Sequence, residues 1–240
     1  MLENEARDRI IVAIDCGREE ALELAGALSG HAGWLKVGMT LYYAEGPAIV
    51  REFKERGFKV FLDLKFHDIP HQVRGAARSA ALAGADLLSV HGSGGAAMLA
   101  AAREGAELAA EATGASRARL VAITVLTSMD QAALEQVGVD APVAEQAARL
   151  ATLARGNGID GIVCSPQEAA AMRELLGEDA LIVTPGVRPA GAEIGDQSRV
   201  ATPASAIAAG ASHLVIGRPI TSASDPVAAY EDIVRELTGA

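Results

Sequence analysis

Residues 59–70 read KVFLDLKFHDIP, an apolar run that breaks into two aspartates, a lysine and a histidine before Ile69-Pro70 opens a helix. Val60, Phe61 and Leu62 have the character of a buried strand, and Pro70 suits a first helical turn, where its missing N–H is no loss. A core strand that ends in charge and passes directly into a helix is one βα unit of a parallel sheet, the kind of fold that gathers its chemistry at the carboxyl ends of its strands.

The same pattern recurs along the chain. Strand-like runs are IIVAID (10–15), WLKVG (34–38), KVFLDLK (59–65), DLLSVH (86–91), RLVAITV (119–125), GIVCS (161–165), LIVTPG (181–186) and HLVIGR (213–218), eight in all. Between them, 19–29, 47–56, 95–112, 143–155 and 227–237 carry apolar residues at helical spacing. Ser165-Pro166-Gln167-Glu168 reads as a capping box and Asp225-Pro226 as a helix start. Alternation to the end without a linker predicts a single-domain (β/α)8 TIM barrel over residues 1–240. A doubly wound sheet is the alternative, but Asp15-Cys16-Gly17-Arg18 after the first strand lacks the glycine-rich dinucleotide turn.

Composition agrees with this architecture. Half of the 240 residues are apolar but only 3% aromatic, as expected for aliphatic layers between helices and a parallel sheet. A net charge of −10 disfavours nucleic acid and anionic membranes, so an anionic ligand requires a local basic pocket. Two cysteines, Cys16 and Cys164, with no signal peptide and no apolar run of about 18 residues, suggest a reduced, cytoplasmic setting without a disulfide or cysteine metal site.

The polar residues fall at strand ends: Asp15, Lys36, Asp63 with Lys65, His91, Thr124 with Thr127, Arg188 and Arg218. Strand starts carry almost nothing comparable. Lys36, between Leu35 and Val37, has no sheet edge to sit on in a closed barrel, and a buried lysine requires carboxylates, for which Asp15 and Asp63 are placed on neighbouring strands. Alternation puts Asp63 and Lys65 on the inner face, with Leu62 and Leu64 turned to the helices. Such an alternating cluster of lysines and aspartates leaves no charge unpaired and is suited to moving a proton. Asp68, just before the helix, would by itself be a helix cap.

A second group lies late in the chain: Arg188 in TPGVR, Gln197, and Gly217-Arg218 in IGRPI. The loops after strands seven and eight are the usual phosphate site of this fold; Gly217 admits an anion to the backbone and Arg218 offers a bidentate fork. The long, small-residue stretch from Arg188 to Thr202 has the composition of an active-site lid.

With VAID, LKVG, DLKFHDIP, TVLTS, TPGVR and IGRPIT in order from Asp15 to Thr221, the chain resembles the orotidine 5′-phosphate decarboxylases. The resemblance implies conversion of orotidine 5′-monophosphate to UMP and CO2, the last step of de novo pyrimidine synthesis, without metal or organic cofactor. It implies Lys65 as proton donor to pyrimidine C6, Asp63 against the departing carboxylate, Lys36 linking ribose to the network and Asp15 on ribose hydroxyls. Thr127 and Ser128 would meet the pyrimidine, and Arg188, Gln197, Gly217 and Arg218 the phosphate. Asp68 and Ile69 would enter the site of a second subunit, which implies a homodimer. One departure is visible: the family usually places Thr two residues after the Pro of DIP, where this chain has Gln72. His67 and His91 near the mouth suit supporting hydrogen bonds. The competing readings are a metal-dependent sugar-phosphate decarboxylase or lyase on a related barrel, and a non-catalytic sensor of a phosphate ligand.

Overall fold

The structure, a computed structural model, describes residues 1–189 and 201–239. Eight parallel strands close into a barrel in sequence order: β1 (Ile10–Ile14), β2 (Trp34–Gly38), β3 (Lys59–Phe66), β4 (Leu87–His91), β5 (Arg119–Ile123), β6 (Gly161–Val163), β7 (Leu181–Pro185) and β8 (His213–Ile216). β1 pairs with β8 through Ile11 and Val215, which completes the ring. The fold is a (β/α)8 TIM barrel, as the strand and helix alternation predicts.

The described helices are α1 (Glu3–Arg9), α2 (Arg18–Leu28), α3 (Met39–Glu45), α4 (Ala48–Glu55), α5 (Pro70–Leu82), α6 (Ala96–Thr113), α7 (Gln131–Gln136), α8 (Val143–Gly156), α9 (Ala169–Leu176), α10 (Pro203–Ala208), α11 (Arg218–Thr221) and α12 (Pro226–Thr238). Among them, no helix is long and apolar enough to cross a membrane. The start of α12 is capped as expected, Asp225 Oδ1 accepting from the Ala228 N–H. At Ser165 only half of the expected capping box forms: the Glu168 carboxylate accepts the Ser165 N–H as a capping box requires, but the Ser165 hydroxyl donates to the same carboxylate, the Glu168 N–H goes to the Ser165 carbonyl, and the regular helix begins only at Ala169.

Period-2 alternation sorts the strands into two faces. Ile10, Val12, Leu35, Val37, Val60, Leu62, Leu88 and Val90 pack outward against the helices. Ile11, Ala13, Trp34, Phe61, Leu87, Val121, Val183 and Val215 fill the barrel. The tightest helix pair is α5 with α6, where a Cβ on Gly105 would lie 2.2 Å from the Arg74 carbonyl oxygen.

The expectation that strand starts are nearly free of charge is overturned. Trp34 Nε1 and Lys59 Nζ both donate to Asp8, and His213 meets the Trp34 ring edge-on at 5.8 Å. Asp86 accepts from Lys54 and from the Val60 N–H, and Asp160 from Arg117 and the Leu120 N–H. Burial pushes Asp160 up, but the Arg117 and backbone bonds outweigh it and hold the carboxyl below its usual range. These pairs tie neighbouring strands together at the closed end of the barrel, leaving the carboxyl end for a cavity.

Candidate active site

At the carboxyl ends of the strands lies a cavity of about 690 Å³, a volume suited to a nucleotide-sized ligand. Its floor is apolar, from Ala13, Phe61, Ile123, Val163 and Val215. Asp15, Lys36, Asp63 and Lys65 line one side; Gly186, Arg188, Gly217, Arg218, Thr221 and Ser222 line the other. The polar groups therefore fall into two poles, one from the ends of β1 to β3 and one from the segments after β7 and β8.

The first pole is a continuous chain of alternating charge. Lys36 Nζ donates to Asp15 Oδ1 at 2.7 Å and lies 3.9 Å from Asp63 Oδ2, and Lys65 Nζ donates to the same Asp63 oxygen at 2.9 Å. Exposure rises toward the ends: the side chains of Lys36 and Asp63 are 9% and 13% exposed, those of Lys65 and Asp15 27% and 58%. The buried lysine thus has both carboxylates that its burial requires. Gly38 makes room for this approach, since a Cβ there would stand 2.7 Å from Asp15 Oδ1 and 3.1 Å from Lys36 Nζ.

Simple alternation does not account for Lys65. Leu62 pairs with Leu88 and Phe66 with Val90, so Asp63, Leu64 and Lys65 together stand opposite Ser89 alone. Lys65 takes φ 53°, the one non-glycine residue with positive φ among the described residues. Ser89, wholly buried, donates its hydroxyl to Asp63 Oδ1 at 2.7 Å and accepts the Lys65 backbone N–H at 2.9 Å. Sequence reading missed Ser89, because one serine in a strand gives no periodic signal.

The histidines fall beside this pole. His67 and His91 stack with ring centroids 5.2 Å apart. Burial, then the charges of His67 and Lys65, push His91 below the usual imidazole value against the pull of Asp63. Cys16, also lining the cavity, is pushed up to about 11 by burial and by Glu20 and Asp15, so its thiol is held neutral near pH 7.

Several expectations shift. Thr127 lines the cavity, but Ser128 does not and is exposed. Thr124 is buried and its hydroxyl donates to the Val163 carbonyl, a strand-end tie. Asp68 does not cap α5: its Oδ1 accepts from the adjacent Ile69 N–H, and no side chain caps the helix. Asp68, Ile69 and Gln72 lie outside the cavity wall, in a stretch exposed from His67 to Gln72. Arg218 opens the short helix α11 rather than ending β8. An added Cβ on Gly217 would meet Ala13 only at ordinary contact distance, so crowding within the chain does not require glycine there. Gln197 and most of the expected lid lie outside the described residues. Thr221 and Ser222 were not singled out from the sequence, although Thr221 ends the IGRPIT motif.

These features define a (β/α)8 barrel whose carboxyl-end cavity carries an alternating lysine and aspartate chain facing an arginine-bearing pole. The model of the Orotidine 5′-phosphate decarboxylase / HUMPS family matches residues 8–233. The chain belongs to this family. It is 53% identical over 239 residues to the orotidine 5′-phosphate decarboxylase of Moorella thermoacetica, covering 99% of this chain and 95% of that one. Identity to the Alkalilimnicola ehrlichii protein of the same name is 52% over 233 residues, 97% of each chain. The crystal structure of the Lactobacillus acidophilus orotidine 5′-phosphate decarboxylase superposes with a TM-score of 0.85 at 40% identity, covering 95% of this chain and 98% of that one.

Proposed function

We propose that the protein decarboxylates orotidine 5′-monophosphate to UMP and CO2, the closing step of de novo pyrimidine synthesis, in the cytoplasm and without metal or organic cofactor. The observation that carries this reading is the Asp15, Lys36, Asp63, Lys65 chain at one pole of the cavity, with Arg188 and Arg218 lining the same cavity.

Loss of CO2 from pyrimidine C6 leaves an in-plane carbanion that the ring π system stabilises poorly, so the charge must be met from outside. Lys65 supplies a cation there and then the proton. Two unit charges about 4 Å apart interact by roughly 4 kcal/mol at an effective dielectric near 20, or about three decades in rate. Asp63 stands against the substrate carboxylate, and its loss as CO2 relieves that repulsion. Lys36 and Asp15 hold the ribose hydroxyls and Thr127 the base, with Ser128 beside it. Arg188, Gln197, Gly217 and Arg218 bind the phosphate, whose binding energy positions the reacting end.

The protein acts as a homodimer in which Asp68 and Ile69 of each subunit complete the other's site and Gln72 takes the usual threonine position. The exposure of every residue from His67 to Gln72, with the apolar Ile69 at 64%, supports a covered face there. Against a metal-dependent reaction, both carboxylates at the first pole face lysine ammonium groups, which would repel a cation placed between them.

The test is to mix purified protein with orotidine 5′-monophosphate and follow loss of its ultraviolet absorbance, with and without EDTA. Equal, protein-dependent decay in both supports the proposal. Decay abolished by EDTA favours the metal-dependent lyase, and tight binding without decay favours the sensor.

A further inference from the structure

We infer that Ser89 is a positioning residue for the reacting pair: its single hydroxyl fixes the Asp63 carboxylate and the Lys65 backbone together. The inference rests on the proposed reading of Lys65 and Asp63.

β3 carries two more residues than β4 between the pairs Leu62 with Leu88 and Phe66 with Val90. The parallel ladder lapses across Asp63, Leu64 and Lys65, and a left-handed lysine costs about 1–2 kcal/mol relative to ordinary backbone. Such a conformation persists only where its surroundings over-determine it. Ser89 meets that need from the facing strand. A serine has one O–H to donate and two lone pairs to accept; here the O–H goes to Asp63 Oδ1 at 2.7 Å and a lone pair takes the Lys65 N–H at 2.9 Å. Asp63 Oδ2 is then turned to the Lys65 ammonium at 2.9 Å. The three contacts close a ring through one hydroxyl, one carboxylate and one lysine, and Ser89 is its fully buried member. Alanine removes two of the three contacts and leaves a carboxylate oxygen and a backbone N–H unpaired inside the barrel. The ring fixes where the ammonium sits, while Ser89 itself lines no part of the cavity.

The experiment compares wild type, Ser89→Ala and Ser89→Thr, the last retaining the hydroxyl, in steady-state kinetics, thermal melting and hydrogen exchange at the Lys65 amide. Ser89→Ala lowers kcat on the order of 100-fold, as expected for a misplaced reacting group, and leaves KM within about threefold. Lys65 amide exchange rises about fivefold or more, the worth of one hydrogen bond, and Ser89→Thr recovers both. A Ser89→Ala protein that melts earlier but turns over at the wild-type kcat overturns the inference, as does unchanged Lys65 protection. If wild type shows no turnover of orotidine 5′-monophosphate, the functional reading falls and the Lys65 amide alone decides the positioning claim. Should Ser89→Ala fail to fold, Ser89→Cys keeps the volume with a much weaker donor and is read the same way.

Discussion

Replacing Lys36 with methionine removes the cation between two carboxylates while keeping an unbranched side chain in β2. Its Nζ lies 3.9 Å from Asp63 Oδ2, a group 13% exposed; at an effective dielectric near 20 that attraction is roughly 4 kcal/mol. The contact to Asp15 at 2.7 Å is shorter, but Asp15 is 58% exposed and solvent reduces such a pair to about 1 kcal/mol. Asp63 keeps Lys65 and Ser89 as partners, which offsets part of the loss. The expected destabilisation is therefore about 3 kcal/mol, near the lower end for breaking a buried pair. Urea unfolding at one fixed protein concentration reads this as a midpoint lowered by about 1 M, for a slope near 3 kcal/mol/M. Asp15→Asn, which removes only the exposed partner, costs no more than about 1 kcal/mol. A Lys36→Met protein as stable as wild type, or an Asp15→Asn protein equally destabilised, would refute the burial argument.

Three further outcomes are expected. Gly105→Ala drives a Cβ to 2.2 Å from the Arg74 carbonyl and should cost about 1–3 kcal/mol by overpacking, read as a lowered melting temperature. Burial, with Arg119, Arg9 and Lys59 adding to it and Asp8 opposing, pushes His213 down to about 4. As pH falls below about 6.5 the unfolded chain takes up a proton that the folded chain refuses, so stability drops until about pH 4. Between pH 7 and 5 wild type should lose about 1–2 kcal/mol more than His213→Gln, the partial exposure of the residue favouring the lower figure; parallel pH profiles would sink this. Arg218→Ala should lower kcat/KM on the order of 10- to 100-fold, the value of a charged hydrogen bond used at a distance, and an unchanged kcat/KM would remove Arg218 from the phosphate pole.

The barrel was legible because each strand carries its own apolar signature, and Lys36 was assignable because a closed ring leaves a central lysine nowhere to go but inward. What escaped the sequence is non-local. The Asp8, Trp34, Lys59 plug joins residues up to 51 apart in the chain, and nothing near Asp8 announces its partners. The two-residue mismatch of β3 against β4 is invisible to period-2 reading, so the nearness of Lys65 to Asp63 was foreseen by a route that omitted the left-handed turn and its Ser89 tie. Gly38 looks like an ordinary strand end until the Asp15 carboxylate is found in the space its side chain would take.

The account turns on the ammonium of Lys65 acting on the reacting carbon. Its most direct test is turnover of orotidine 5′-monophosphate by Lys65→Ala, alongside UMP binding to show an intact cavity. The account predicts normal UMP binding with kcat lower by about three decades or more; binding intact and kcat within about tenfold of wild type would contradict it.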